Sequence, residues 1–128
     1  MNTEKKARIL VVDDEADILV ALSERLQAEG FTVLEASTGE SAIRQAKSEI
    51  PDLILLDICL PDMGGGEVAS ALQEDPATDR IPIIYLTALF SKHQEAKYGG
   101  TQTLAKPFEM TKLIAEIERS LRAAATLD

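Results

Sequence analysis

Acids, a hydroxyl and an amine recur along this 128-residue chain in one setting: each follows a short apolar run. Arg8–Val12 runs into Asp13-Asp14-Glu15, Leu53–Leu56 into Asp57, Ile81–Leu86 into Thr87, and Thr103-Leu104-Ala105 into Lys106. Together these groups suit phosphoryl transfer. A carboxylate is a modest nucleophile, but it can attack phosphorus once the charge on the phosphoryl oxygens is neutralised. Asp57 is the expected nucleophile. The Lys106 ammonium would neutralise one side of the phosphoryl group, and the Thr87 hydroxyl could donate a hydrogen bond to it. Asp13, Asp14 and Asp57 would repel one another at close range unless a cation intervenes. Their hard oxygens suit Mg²⁺, which takes one or two protein carboxylates, keeps several waters and completes its shell from a phosphate.

Taken singly, each residue has a plainer role. An Asp after a strand is more often a cap or turn residue, Thr87 alone would be a cap, and Lys106 alone a solvated charge. Four separate strand ends carrying acid, acid, hydroxyl and amine are harder to ascribe to capping. His93, on a polar segment, reads as an exposed residue rather than a phosphoryl carrier, and the Cys59 thiol reads as structural.

These groups converge only if the apolar runs are neighbouring strands. Leu53–Asp57 is unalternating and bounded by Pro51-Asp52 and Cys59–Asp62, the pattern of a strand buried on both faces. Arg8–Val12 and Ile81–Leu86 read the same way, with Pro82 at the start of the latter. Phe31–Ala36 is rich in β-formers and adds a strand whose end offers only small groups. Between them the period changes. Ile18, Leu19, Leu22 and Leu26 mark a helix with acid in its first turn and Gly30 placed to end it. Ser37-Thr38-Gly39 opens a helix with Ala42, Ile43 and Ala46 on its apolar face. Cys59–Gly66 reads as a loop that Met63-Gly64-Gly65-Gly66 makes flexible, and Val68, Ala69 and Leu72 mark the helix after it. Ser91–Tyr98 is a thin helix expected to be mobile. Leu113, Ile114, Ile117 and Leu121 define the last helix, with Ala123–Asp128 fraying and residues 1–7 a mobile lead-in. The alternation predicts an α/β fold: one doubly wound five-stranded parallel sheet with helices on both faces. In the order 2-1-3-4-5, the first and third strands meet at the switch point where such sheets bind ligands, and Asp13, Asp14 and Asp57 crowd together there.

Composition narrows the function classes. Apolar residues make up 45% of the chain, a globular value. The net charge of −9 argues against direct partnership with nucleic acid or anionic lipid. A single cysteine cannot form an internal disulfide, no run approaches membrane-spanning length, and the start lacks an apolar signal core. The expectation is a cytoplasmic protein of one domain, residues 1–128, with its core at about residues 8–122 and no effector domain.

With V-V-D-D-E, L-L-D-I-C-L-P-D-M, L-T-A and A-K-P-F in this order, the chain resembles the receiver domains of two-component response regulators over about residues 8–122. The resemblance implies a flavodoxin-like fold and a phosphorylation-dependent signalling switch. Asp57 would be the phosphoacceptor, forming a 4-aspartylphosphate with phosphoryl drawn from a sensor histidine kinase or phosphotransfer protein. Asp13, Asp14, the Asp57 carboxylate and the Cys59 backbone carbonyl would hold Mg²⁺. Thr87 and Lys106 would contact the phosphate, and the Lys106-Pro107 bond would be cis. The signal would pass to a downstream protein or to an effector domain outside this sequence. Receivers often carry Tyr or Phe three residues before the lysine, where this chain has Thr103, so output would run through backbone or helix rearrangement. Leu89 and Cys59 occupy positions that tune phosphate lifetime, and apolar Leu89 would shield it.

On this reading the protein is not an enzyme in the ordinary sense, since it catalyses only its own phosphoryl transfer and dephosphorylation. The alternative is an aspartyl-phosphate phosphatase of the haloacid-dehalogenase type, which needs an acid where this chain has Cys59. A nucleotide-binding domain would need a G-x-x-x-x-G-K-[ST] loop after the first strand, where Asp13-Asp14-Glu15 stands. A degenerate receiver used as a scaffold would not need Asp57 and Lys106.

Overall fold

Apolar runs too short for helices become strands that stack side by side. The structure, a computed structural model, describes residues 7–87, 102–105 and 110–125. The strands are β1 (Arg8–Val12), β2 (Thr32–Ala36), β3 (Leu53–Asp57), β4 (Ile83–Thr87) and β5 (Gln102–Ala105), and the described helices are α1 (Ala16–Ala28), α2 (Gly39–Glu49), α3 (Gly65–Gln73) and α4 (Met110–Ala125). The sheet is parallel, in the order β2-β1-β3-β4-β5.

The unalternating strands are covered on both sides. Ile9, Val11, Leu53, Leu55, Ile84 and Leu86 face Leu22 and Leu26 of α1 and Leu113, Ile114 and Ile117 of α4. The alternate residues Leu10, Val12, Ile54, Leu56 and Tyr85 face Ala42 and Ala46 of α2 and Val68, Ala69 and Leu72 of α3. All four apolar residues of β3 are fully buried, each gaining roughly 1.5–3 kcal/mol over exposure. α2 meets the sheet through alanines, which lets it lie close.

Local chemistry sets the ends. Gly30, at φ 99°, closes α1: its N–H donates to the Gln27 carbonyl, and that of Phe31 to the Leu26 carbonyl. Phe31 thus belongs to the helix closure, with its ring in the core, and the strand expected from Phe31 begins at Thr32. Thr38 caps α2, its hydroxyl accepting from the Ser41 N–H. Ile81 and Pro82 precede β4, but the Pro82 carbonyl still accepts from Ile54 N–H.

Two expectations are corrected. Gly64–Gly66 are not a flexible loop: Gly64 is the residue before α3, Gly65 and Gly66 form its first turn, and Gly65 is buried. A Cβ at Gly65 would stand 3.0 Å from the Ile58 Cα and 3.2 Å from the Asp57 carbonyl oxygen, so glycine is there for close approach. Ala123–Ala125 do not fray but continue α4. Residues 1–6 of the lead-in, residues 126–128, the Ser91–Tyr98 helix, Leu89 and the Lys106-Pro107 bond lie outside the described residues, whereas Ala7 packs against the core and its carbonyl accepts from the Thr32 N–H. Among the described residues, no helix is long and apolar enough to cross a membrane.

Candidate functional site

Register brings the acids together. Val12 pairs with Leu56 across β1 and β3, so Asp13 and Asp57 leave adjacent strands side by side. Carboxylate oxygens of Asp13, Asp14 and Asp57 all lie within 4.8 Å of one another. Asp13 is wholly buried and Asp57 is 5% exposed, whereas Asp14 is open to solvent.

Backbone groups orient these side chains. Asp13 Oδ1 accepts from the Glu15 N–H at 2.9 Å, and the Asp13 N–H donates to the Ala36 carbonyl at 3.1 Å, tying the end of β1 to that of β2. The Cys59 N–H donates to Asp57 Oδ1 at 3.4 Å, a long bond. Cys59 is exposed and bridges to Gly64 in antiparallel fashion, and in that turn the Gly65 N–H donates to the Ile58 carbonyl at 2.7 Å.

Buried carboxylates at this spacing cost much free energy unless charge is supplied to them. An all-oxygen donor set, with two buried members and one facing solvent, could hold a hard divalent cation and leave it open to a ligand. The residues present fit a metal of that kind.

Thr87 closes β4 and pairs in register with Ala105, the last residue of β5. The backbone of Thr87 therefore stands at the same sheet edge as Asp57, whose register partner is Leu86. Lys106 follows Ala105 and lies outside the described residues.

One residue at this edge escaped the sequence reading. Asp62, within the Cys59–Gly66 segment, reaches α2: its Oδ1 accepts from the Gly39 N–H at 2.7 Å and its Oδ2 from the Glu40 N–H at 2.9 Å. These bonds, Gly39 first, hold its carboxyl below the usual carboxylate range. Nothing in the local spacing marks a cap supplied from 22 or 23 residues away.

The sequence profile for the response regulator receiver domain matches residues 9–118. The chain belongs to the response regulator receiver domain family. This receiver is 38% identical over 118 residues to the alkaline phosphatase synthesis transcriptional regulatory protein PhoP of Bacillus subtilis, covering 90% of this chain and 48% of PhoP. It is 37% identical over 126 residues to the response regulator PleD of Caulobacter vibrioides, covering 95% of this chain and 28% of PleD. Among solved structures it is similar to the chemotaxis response regulator CheY4 of Vibrio cholerae, with 33% identity, a TM-score of 0.81, and coverage of 90% of this chain and 98% of the other. The receiver thus spans about half or less of these two curated relatives, and nearly all of the matched CheY4 chain. The fold is the flavodoxin-like parallel α/β arrangement of that family, and the chain is a component of the two-component class.

Proposed function

We propose that this receiver is a phosphorylation-dependent switch in which Asp57 accepts a phosphoryl group from a phosphohistidine on a partner kinase or phosphotransfer protein. The observation that carries the reading is the gathering of the Asp13, Asp14 and Asp57 carboxylates within 4.8 Å at the carboxyl edge of the sheet. In the transfer, an Asp57 carboxylate oxygen bonds to phosphorus as the bond from phosphorus to the histidine nitrogen breaks, and the electron pair leaves with the imidazole. Asp13, Asp14, Asp57 and the Cys59 carbonyl are the groups proposed to hold Mg²⁺. Bound there, Mg²⁺ would supply neutralising charge for the phosphoryl oxygens. Lys106 is assigned the opposite side of the group, and Thr87 a hydrogen bond to it.

Burial supports the nucleophile assignment. A largely dry carboxylate reacts with less competition from water, and its small remaining exposure restricts the approach. The product adds charge and acceptor oxygens beside Thr87, and the proposed output is a rearrangement of that edge read by a downstream protein or an effector domain. The reaction consumes one phosphoryl group per site, so the protein acts on itself and not as a multiple-turnover enzyme. The haloacid-dehalogenase alternative lacks its general acid, because Cys59 holds that position.

The test is Mg²⁺-dependent labelling by acetyl phosphate, wild type against Asp57→Asn. Labelling of wild type alone is expected, with loss of label when the metal is chelated. Equal labelling of both proteins would remove Asp57 from its role.

A further inference from the structure

The loop after β3 is fastened to a helix that contributes nothing to the acidic cluster. Asp62 accepts from two successive amides at the start of α2, those of Gly39 and Glu40. The next residue, Met63, docks on the same helix end: a Cβ at Gly39 would clash with Met63 Cγ and stand 2.7 Å from its sulfur. α2 does not lack a cap of its own, since the Thr38 hydroxyl already accepts from Ser41 N–H at 3.1 Å. The two bonds from Asp62 therefore join two segments rather than merely completing a helix end.

Contacts between these segments close a ring around the acids. From Asp57 the chain turns through Cys59, whose N–H points at Asp57 Oδ1. It reaches α2 through Asp62 and Met63. α2 follows β2, and the Ala36 carbonyl at the end of β2 accepts from the Asp13 N–H at 3.1 Å. On the far side of the turn, Gly65 lies against Ile58 and the Asp57 carbonyl, where a Cβ would meet backbone at 3.0 and 3.2 Å. Among the described residues, Asp62 carries the hydrogen bonds that span the gap between the β3 loop and α2, with Met63 packed beside it.

We propose that Asp62 is a positioning residue for divalent-cation binding: it holds the Cys59 segment at the distance from Asp13 and Asp57 that a cation requires. This rests on the Mg²⁺ site proposed above and assigns Asp62 no contact with the ion. A carboxylate that accepts two backbone N–H bonds fixes both the position and the tilt of its loop, which an alanine cannot do. Asparagine retains one acceptor oxygen, so its effect should fall between the two.

The experiment titrates the ¹⁵N-labelled full chain with Mg²⁺ and follows the Cys59 amide, at a temperature where all variants are folded by circular dichroism. Asp62→Ala should weaken Mg²⁺ affinity about tenfold, the lower end of what losing an outer partner of a metal ligand costs. Asp62→Asn should weaken it less. Thr38→Ala, which strips the other cap from the same helix end, should leave affinity nearly unchanged. Iodoacetamide should alkylate Cys59 faster in Asp62→Ala than in wild type, a readout independent of metal. Wild-type affinity in folded Asp62→Ala, or an equal loss in Thr38→Ala, would overturn the proposal. Should Asp62→Ala fail to fold, Asp62→Asn decides, and wild-type affinity there overturns it. If wild type itself shows no Mg²⁺-dependent shift, the metal site falls first and the role of Asp62 with it.

Discussion

The two edges of the sheet handle charge and backbone in opposite ways. At the amino edge, the Arg8 guanidinium binds the Glu49 carboxylate at 2.7 Å and the Glu49 carbonyl at 2.6 Å, while the Asp52 carboxylate accepts from the Arg8 N–H at 2.8 Å. Opposite charges meet there, half in solvent, in a pair worth under about 1 kcal/mol. At the carboxyl edge three like charges meet, two of them buried. The backbone contrasts too. Gly65 sits at the carboxyl edge, where a Cβ would press on the backbone of Asp57 and Ile58. At the amino edge Ile50 closes α2 at φ 46°, a left-handed conformation costly for a β-branched side chain. Pro51 disfavours a right-handed helical conformation in the residue before it, so α2 stops at Ile50. The amino edge is a fastening that tolerates imperfection, and the carboxyl edge gathers carboxylates where a ligand can reach them. Stability and chemistry therefore occupy different ends of the same strands.

The sharpest way to break this contrast is Gly65→Ala. Adding the Cβ presses on the backbone of Ile58 and Asp57, and overpacking of this kind costs about 1–3 kcal/mol, offset by about 1 kcal/mol from the better helix propensity of alanine. Urea unfolding should show that loss, and acetyl phosphate labelling should slow, because the shifted backbone carries Asp57. Unchanged stability and labelling would mean that the close approach is not required.

Ile50→Gly is the counterpart at the other edge. It relieves the left-handed strain and should stabilise the fold by about 1 kcal/mol, less the extra freedom of glycine in the unfolded chain. Labelling of Asp57 should not change. A change in labelling would show that the two edges are coupled.

The smallest effect concerns pH. Asp62 is held below the usual carboxylate range by the Gly39 and then the Glu40 amide. A depressed carboxyl contributes stability that is complete above its unfolded value and is lost as pH falls through its folded value. NMR titration of the Asp62 carboxyl should therefore give a midpoint below the usual range, and Asp62→Asn should remove a small part of the acid sensitivity of the fold. An ordinary midpoint would mean that the link to α2 is not held in solution.

Much of this was legible before the fold was known. β1 and β3 span Arg8–Val12 and Leu53–Asp57 as the apolar runs suggest, because the interior of a strand buried on both faces must be apolar and charge is left to its ends. Gly30 was readable as the end of α1 because no other residue reaches its φ so cheaply. The glycines at 64–66 misled, since the same residue serves either freedom or tightness and local sequence does not distinguish them.

The order of residues alone determined which groups stand at the ends of the buried strands: Asp13 and Asp14 follow β1, and Asp57 and Thr87 close β3 and β4. Only the tertiary structure decided that Val12 lies beside Leu56, that the three carboxylates close to within 4.8 Å, and that Asp62 reaches across to α2. Those are relations between segments distant along the chain. Register and docking follow from packing both faces of the sheet at once, and no local pattern carries that information.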